Sequence, residues 1–165
     1  MEDDIRLRPP RHAPERETLH GFLANQRATL LWKLDGLDTV QATHRLVPSE
    51  TTLLGLVKHC MDVERWWFRV VMAGEDVPLT WSEEAPTADW QIEPGETVAT
   101  LVAAYRAEAT ACDRAVAGYA LDDTARRAGQ PETLRWIYVH MIREIARHCG
   151  HADILRELTD GATGE

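Results

Sequence analysis

The last third of the chain most constrains the fold. Between Leu134 and Leu158, apolar and metal-ligand-type side chains recur at alternating steps of three and four residues, which is typical of one face of an α-helix. That face comprises Leu134, Ile137, Met141, Glu144, His148, His151, Leu155 and Leu158. A carboxylate and two imidazoles are costly to bury in an apolar face unless they have partners. A divalent metal in the core of a helical bundle best explains the pattern.

Length and hydropathy favour one soluble domain. The 165 residues, 44% of them hydrophobic, suffice for a single core, which we expect over residues 15–165. Residues 1–14 contain three prolines amid charges and predict an extended N-terminal tail. No segment approaches the roughly 20 apolar residues of a membrane span, and the N-terminus lacks the apolar region of a secretory signal. We therefore expect a cytoplasmic protein without a membrane partner.

Charge and cysteine spacing argue against a nucleic-acid-binding protein and against a protein built on disulfides or Cys-x-x-Cys metal sites. The formal net charge is -9, and no Lys/Arg cluster supplies the phosphate neutralisation on which nucleic-acid binding depends. Cys60, Cys112 and Cys149 are too widely spaced for a disulfide framework or a Cys-x-x-Cys metal site. We expect no nucleic-acid partner and a reducing compartment.

Three further segments have helical spacing. They run from Glu15 to Asp35-Gly36, from an N-cap at Pro48-Ser49-Glu50 to Gly74, and from Glu96 to Tyr119. A polar connection over 121–130 then leads to Pro131, placed in the first turn of a last helix that ends at Gly161. Four long helices without a strand pattern predict an all-α protein, an antiparallel four-helix bundle.

The segment 74–95 is too rich in proline for a helix and too irregular for a strand. It contains Trp81 and Trp90 among acidic residues. Long loops in compact domains are usually functional or disordered, and two tryptophans favour the first interpretation. Both rings are candidates for the wall of a ligand pocket.

The candidate metal ligands lie on two facing helices. Glu144, His148 and His151 can converge beside the last helix, and His59 in the second helix can supply a ligand from across the bundle. Three protein ligands with an open position are typical of a catalytic site, and these donors suit Zn, Ni, Fe(II) or Mn. Taken singly, each residue also has a structural explanation, as a hydrogen-bonded core histidine or a solvated Glu–His pair.

Other side chains are candidates for supporting roles. His140, one turn before Glu144, can line the pocket or support a ligand. Trp66 and Trp67 lie within the second helix, where they contribute to the core or, if exposed, to a dimer surface.

Two stretches resemble the DinB-like superfamily of four-helix metalloproteins, including the branch of mycothiol-dependent maleylpyruvate isomerase. They are Leu56-Val-Lys-His-Cys-Met-Asp-Val-Glu-Arg-Trp-Trp67 and His140-Met-Ile-Arg-Glu-Ile-Ala-Arg-His-Cys-Gly-His-Ala-Asp153. The likeness covers about residues 15–160. It implies an up-up-down-down bundle with a long crossover between helices two and three, and a bound divalent metal.

The resemblance also implies roles for single residues. His59 matches the ligand of helix two, and Glu144 and His148 match the ligand pair of the last helix. Many members have His at the position of Glu144, whereas the maleylpyruvate isomerase branch has a carboxylate there. His151 stands where many members have Gln, which favours an acid/base or supporting role over metal ligation.

Three functions remain open from the sequence. The resemblance favours a metal-dependent thiol S-transferase or thiol-dependent isomerase, in which mycothiol, bacillithiol or a similar thiol attacks a small electrophile. The second candidate is a non-catalytic, stress-associated, dimeric bundle that binds a metal or ligand. The third is a metal-dependent hydrolase with His151 as base.

Overall fold

The computed structural model of the chain describes residues 8–164, and this part is all-helical. The elements are α1 (Glu15–Trp32), the short α2 (Thr39–Ala42), α3 (Leu53–Glu64) with a π-helical continuation (Arg65–Met72), α4 (Val98–Ala115) and α5 (Leu134–Asp160). No β-strand occurs within these residues, only an isolated antiparallel bridge between Thr124 and Thr133. The predicted helical bundle is confirmed. Nowhere in the described part is a helix both long and apolar enough to cross a membrane.

Threonines begin three of the long helices. The side chains of Thr52, Thr97 and Thr133 each accept a hydrogen bond from the backbone N–H three residues later, which satisfies an otherwise unpaired donor. The predicted N-cap at Pro48-Ser49-Glu50 is therefore wrong, and Pro131 lies before the last helix rather than in its first turn. Each of these three helices therefore begins at a residue whose side chain satisfies one of its first N–H groups.

Ion pairs fix the relative direction of α1 and α5. Glu15, at the start of α1, pairs with Arg135 at the start of α5. Lys33, at the end of α1, pairs with Asp153 near the end of α5. Because the partners advance together along both helices, α1 and α5 are parallel.

The same criterion shows that α3 and α4 are parallel. Lys58 of α3 pairs with Glu96, just ahead of α4, while Arg69 of the π-helix pairs with Glu108 inside α4. The long crossover between these two helices is confirmed, since parallel neighbours cannot be joined by a short turn.

One part of the predicted connectivity is wrong. His59 packs against His148, and Trp67, further along the same helix, packs against the earlier residue Trp136. The helix of His59 therefore runs antiparallel to α5. The order of directions in α1, α3, α4 and α5 is up-down-down-up rather than up-up-down-down.

The buried face of α5 differs from the predicted one. Ile145 and Ala152 are buried, whereas His151 and Leu158 are exposed. Steps alternating between three and four residues average 3.5, and a straight helix drifts by about 20° per seven residues from that repeat. Along the 27-residue helix this drift turns part of the predicted face, at His151 and Leu158, towards solvent, while Leu155 stays buried.

A buried ionic network connects three helices. The Glu64 carboxylate, 0% exposed, accepts hydrogen bonds from Arg27 Nε at 2.8 Å and from the Tyr105 hydroxyl at 2.5 Å. The Arg27 guanidinium also pairs with Asp113 of α4. Glu64 therefore joins α3 to α1 and α4.

The crossover, which comprises residues 73–97 between the π-helix and α4, lies against α3. The backbone N–H of Thr80 donates to Asp62 at 2.8 Å, and Lys58 Nζ donates to the carbonyl oxygen of Gln91 at 2.6 Å. Asp62 is fully buried and Lys58 nearly so. These contacts hold both halves of the crossover on one helix, which brings its middle part towards His59.

Candidate metal centre

His59, Glu144 and His148 lie together in the groove between α3 and α5. Each offers one ligand atom, and these atoms lie within 4.8 Å of one another. His148 Nε2 is 3.2 Å from Glu144 Oε1, one helical turn away, and the rings of His59 and His148 are centred 5.0 Å apart. The facing helices thus bring these three predicted residues to one point.

Asp89 orients His59 from the crossover. An oxygen of its carboxylate lies 2.6 Å from His59 Nδ1. Asp89 is itself buried and stands in a single 3-10 turn, Ala88–Trp90. A carboxylate bonded to one imidazole nitrogen fixes the ring and leaves the other nitrogen free for a metal. Sequence reasoning missed Asp89, although a carboxylate beside a tryptophan in a functional loop was the available signal.

His148 is the most enclosed member of the group, at 6% exposed. Burial, followed by the nearby His59, lowers the pKa of His148, which favours its neutral, metal-binding form. Its Nδ1 atom is buried without a hydrogen-bond partner among the described residues. A buried imidazole nitrogen without a hydrogen-bond partner fits the chemistry of a residue that coordinates a metal.

Trp90 and His151 border this group. The Trp90 ring stacks on His59 at 4.1 Å between centroids, and its backbone oxygen lies close to α3. A Cβ atom added to Gly55 would be only 2.7 Å from that oxygen, so the crossover approaches α3 as closely as glycine permits. His151 is exposed, with its ring 5.5 Å from that of His148.

A second aromatic group continues the groove. His140 stacks on Trp136 with ring centroids 4.9 Å apart, and Trp67 lies against both rings. Burial, and then the charge of Arg143, lowers the pKa of His140. Because His140 is one turn before Glu144, these rings extend from the candidate ligands towards the start of α5. Trp81, by contrast, packs on Trp66.

The cysteines are not arranged as nucleophiles. Cys60, Cys112 and Cys149 are all buried and unpaired. Burial raises the pKa of Cys149 to about 12 and that of Cys60 well above its ordinary range. Thiols of this kind are unreactive near neutral pH. A sulfur nucleophile at this centre has to come from a bound molecule.

The donor set fits a divalent cation. Zinc binds imidazole nitrogen and carboxylate oxygen, which are the donors that His59, Glu144 and His148 offer. The carboxylates of Glu144 and Asp89 supply negative charge that such an ion balances. Three protein ligands leave a coordination position for an exogenous molecule.

Comparison with known families agrees with this geometry. The model of the mycothiol-S-transferase family matches residues 18–161, which include every residue of the candidate centre. The chain belongs to the mycothiol-S-transferase family. This is a DinB-like family, so the predicted relationship is confirmed. Among curated proteins, no match to the chain is found.

Proposed function

We propose that the chain is a divalent-metal-dependent thiol S-transferase in which His59, Glu144 and His148 hold the metal. The observation that carries the proposal is the convergence of these three residues in a mycothiol-S-transferase family member. A divalent cation held there would favour the thiolate form of a bound mycothiol-like thiol, with zinc as the first candidate among Zn, Ni, Mn and Fe.

Two neighbouring residues, Asp89 and Trp90, hold the ring of His59 in place. The Asp89 carboxylate accepts a hydrogen bond from the Nδ1–H of His59 and thereby leaves Nε2 for the metal. Trp90 covers His59 on one side and excludes water from it. These contacts fix the ring before any ligand binds, which reduces the reorganisation that binding requires.

His151 is suited to proton transfer. It is exposed and lies beside His148, within reach of a molecule in the groove. We assign it the role of accepting the thiol proton, after which the sulfur forms a bond to an electrophilic carbon of the substrate. In an addition, His151 passes the proton to the product. In an isomerisation, the carbon–sulfur bond breaks again and the proton returns to the released thiol. In a substitution on an aryl halide, the carbon–halogen bond breaks and halide leaves together with the proton.

The aromatic residues would select the substrate. Trp90 and His140 are the rings next to the ligand set, and we propose that they contact the thiol or the apolar part of the electrophile. A role for Trp81 in cofactor binding stays a prediction, since its contact is with Trp66.

A homodimer in the cytoplasm remains part of the proposal. Trp66 and Trp67 are half-buried, whereas Trp136 is 45% and Val139 53% exposed on neighbouring turns of α5. These two side chains are the better candidates for a contact between copies. Light scattering of the wild-type protein and of Val139→Glu tests the dimer, which the charge should dissociate.

The proposed activity is tested by metal content and turnover together. Untagged protein purified without added metal is analysed for metals, and then assayed with mycothiol and an aryl halide electrophile. We expect one equivalent of metal and turnover only when thiol is present. The double variant His59→Ala, His148→Ala should lose both.

The same assay separates the alternatives. Product formation without thiol would overturn the transferase in favour of a metal-dependent hydrolase. Stoichiometric metal without turnover across an electrophile panel would instead indicate a non-catalytic metal- or ligand-binding bundle. Failure of the wild-type protein to bind Zn, Ni, Mn or Fe(II) would contradict both metal-dependent enzymes and would leave a non-catalytic bundle that binds another ligand.

A further inference from the structure

A second cavity lies away from the candidate metal centre. It has a volume of about 450 Å³ and is bordered by the π-helix, the start of the crossover and the connection between α4 and α5. Neither the three candidate ligands nor Asp89 line it. Trp66, on its wall, is seven residues after His59, or roughly 10 Å along a helix axis.

The walls of this cavity are held in place without a ligand. On one side, the backbone N–H groups of Arg126 and Arg127 donate to carbonyl oxygens at the end of the π-helix, both at 3.1 Å. On the other side, Arg69 Nε donates to Glu75 Oε2 at 2.7 Å. The connection and the crossover are therefore both attached to the same helix, and the space between them is preformed.

Two tryptophans make the cavity suitable for a planar ring. Trp66 and Trp81 meet with ring centroids 5.5 Å apart at an angle of 66°. Val70 and Leu79 add apolar surface between them. The guanidinium of Arg127 lies 4.7 Å from the centre of the Trp66 ring. A flat apolar group here would contact aromatic faces with a cation beside them.

The charges at the cavity favour an anion. Arg126 and Arg127 are exposed, and within residues 8–164 their guanidinium groups lie over the rings of Tyr119 and Trp66 rather than against a carboxylate. The carboxylate of Glu75 is bound by Arg69, which leaves Asp76 as the unpaired acid on the lining. Two arginines and one free carboxylate thus line the cavity, a local positive excess on a chain with a formal net charge of -9.

We propose that this cavity is a binding site for a small planar aromatic carboxylate. The ring would lie against Trp66 and Trp81 where both line the cavity, and the carboxylate would pair with Arg126 and Arg127, for which guanidinium geometry is well suited. The site requires neither metal nor thiol. It therefore stands independently of the proposed transferase function.

Isothermal titration with 1-naphthoate tests this site, with the neutral 1-naphthalenemethanol as matched ligand. We expect saturable binding of the carboxylate and markedly weaker binding of the alcohol. Arg127→Gln should weaken naphthoate binding by about fivefold, the effect of an exposed ion pair. Asp76→Asn should strengthen it by about twofold, because it removes the opposing charge without removing a wall.

Two controls locate the ligand. Arg106→Gln, at an exposed position of α4 outside the cavity, should leave naphthoate affinity unchanged. The double variant His59→Ala, His148→Ala should also bind it as the wild type does. The proposal is overturned by the absence of binding, by equal binding of acid and alcohol, by loss of affinity in the double variant, or by weaker binding in Asp76→Asn.

Discussion

The Nδ1 atom of His59 lies 2.6 Å from a carboxylate oxygen of Asp89, a residue that follows it by 30 positions and belongs to another segment. Through this contact the crossover takes part in the candidate metal centre. The geometry of the groove between α3 and α5 therefore depends on a segment that lies outside the long helices.

Replacing Asp89 should weaken metal binding without unfolding the bundle. In Asp89→Ala, His59 loses the partner that fixes its ring, and we expect metal affinity to fall by about 10- to 100-fold. Competition with a chromophoric chelator measures the change. Glu84→Gln, an exposed site of the same crossover, is the matched control. Unchanged metal affinity in Asp89→Ala would show that the contact between Asp89 and His59 does not orient His59 for metal binding.

His151→Ala should separate proton transfer from metal binding. Because His151 lies outside the group of three ligand atoms, we expect metal content equal to that of the wild type. Turnover with thiol should fall by about 10²- to 10⁴-fold, the range of general acid–base catalysis. His148→Ala, measured in parallel, should lose the metal. If His151→Ala also loses it, His151 is a ligand and the assigned role is wrong.

The two glycines of α3 and α5 should respond oppositely to alanine. Gly55→Ala places a Cβ atom 2.7 Å from the Trp90 backbone oxygen, which should push the crossover outward and reduce metal affinity. In Gly150→Ala the added Cβ atom has no neighbour within 4 Å, and alanine at this exposed position should stabilise α5 by about 1 kcal/mol. Urea denaturation and chelator competition on both variants check this contrast. Equal metal affinity in the two would argue against close packing of the crossover.

Removing one member of the buried ionic network should cost more than removing an exposed charge. Arg27→Ala leaves the Glu64 carboxylate buried with only the Tyr105 hydroxyl, so we expect a loss of about 3–5 kcal/mol in the free energy of unfolding. Tyr105→Phe should cost about 1–2 kcal/mol. Arg106→Ala, at an exposed site, should change it by less than about 0.5 kcal/mol. Urea unfolding of the three variants measures these losses in the free energy of unfolding and so checks their predicted order.

Glu108 should contribute to acid sensitivity. Burial alone would raise its pKa, but the hydrogen bonds and charges of Arg65 and Arg69 outweigh burial and hold the pKa below its ordinary value of 4.5. A lowered pKa in the folded state adds stability that is complete above that value and is lost as pH falls through the folded pKa. Glu108→Gln should therefore be less stable at pH 7 and should lose less stability on acidification below pH 4.5. Unfolding curves at several pH values, with Glu83→Gln as the exposed control, measure this difference.

The helices and the candidate ligands can be predicted from the sequence, because both depend on the spacing of residues along the chain. His59, Glu144 and His148 lie where their helical positions predict. The directions of the helices are not encoded in that spacing, since an apolar face can pack against a parallel or an antiparallel neighbour. The exposure of His151 was also missed, because small errors in the assumed helical repeat accumulate along a long helix.

The contribution of Asp89 could not be predicted for a different reason. Its position is set by hydrogen bonds between distant segments, such as those of Thr80 to Asp62 and of Lys58 to Gln91. Irregular segments have no periodic pattern from which such contacts can be read. The sequence indicates that the crossover is functional, and only the folded chain shows which of its residues reaches the centre.

The attachment of the crossover at Thr80 and Gln91 leaves the residues from Ser82 to Thr87 fully on the surface. Changes of length or composition between Ser82 and Glu84 should leave the helices and the orientation of Asp89 intact, because the carbonyl oxygens of Ala85 and Thr87 that support the turn of Asp89 are kept. This short stretch is therefore the place where a peptide tag or a fluorescent reporter can be inserted, and where related chains can diverge at little structural cost.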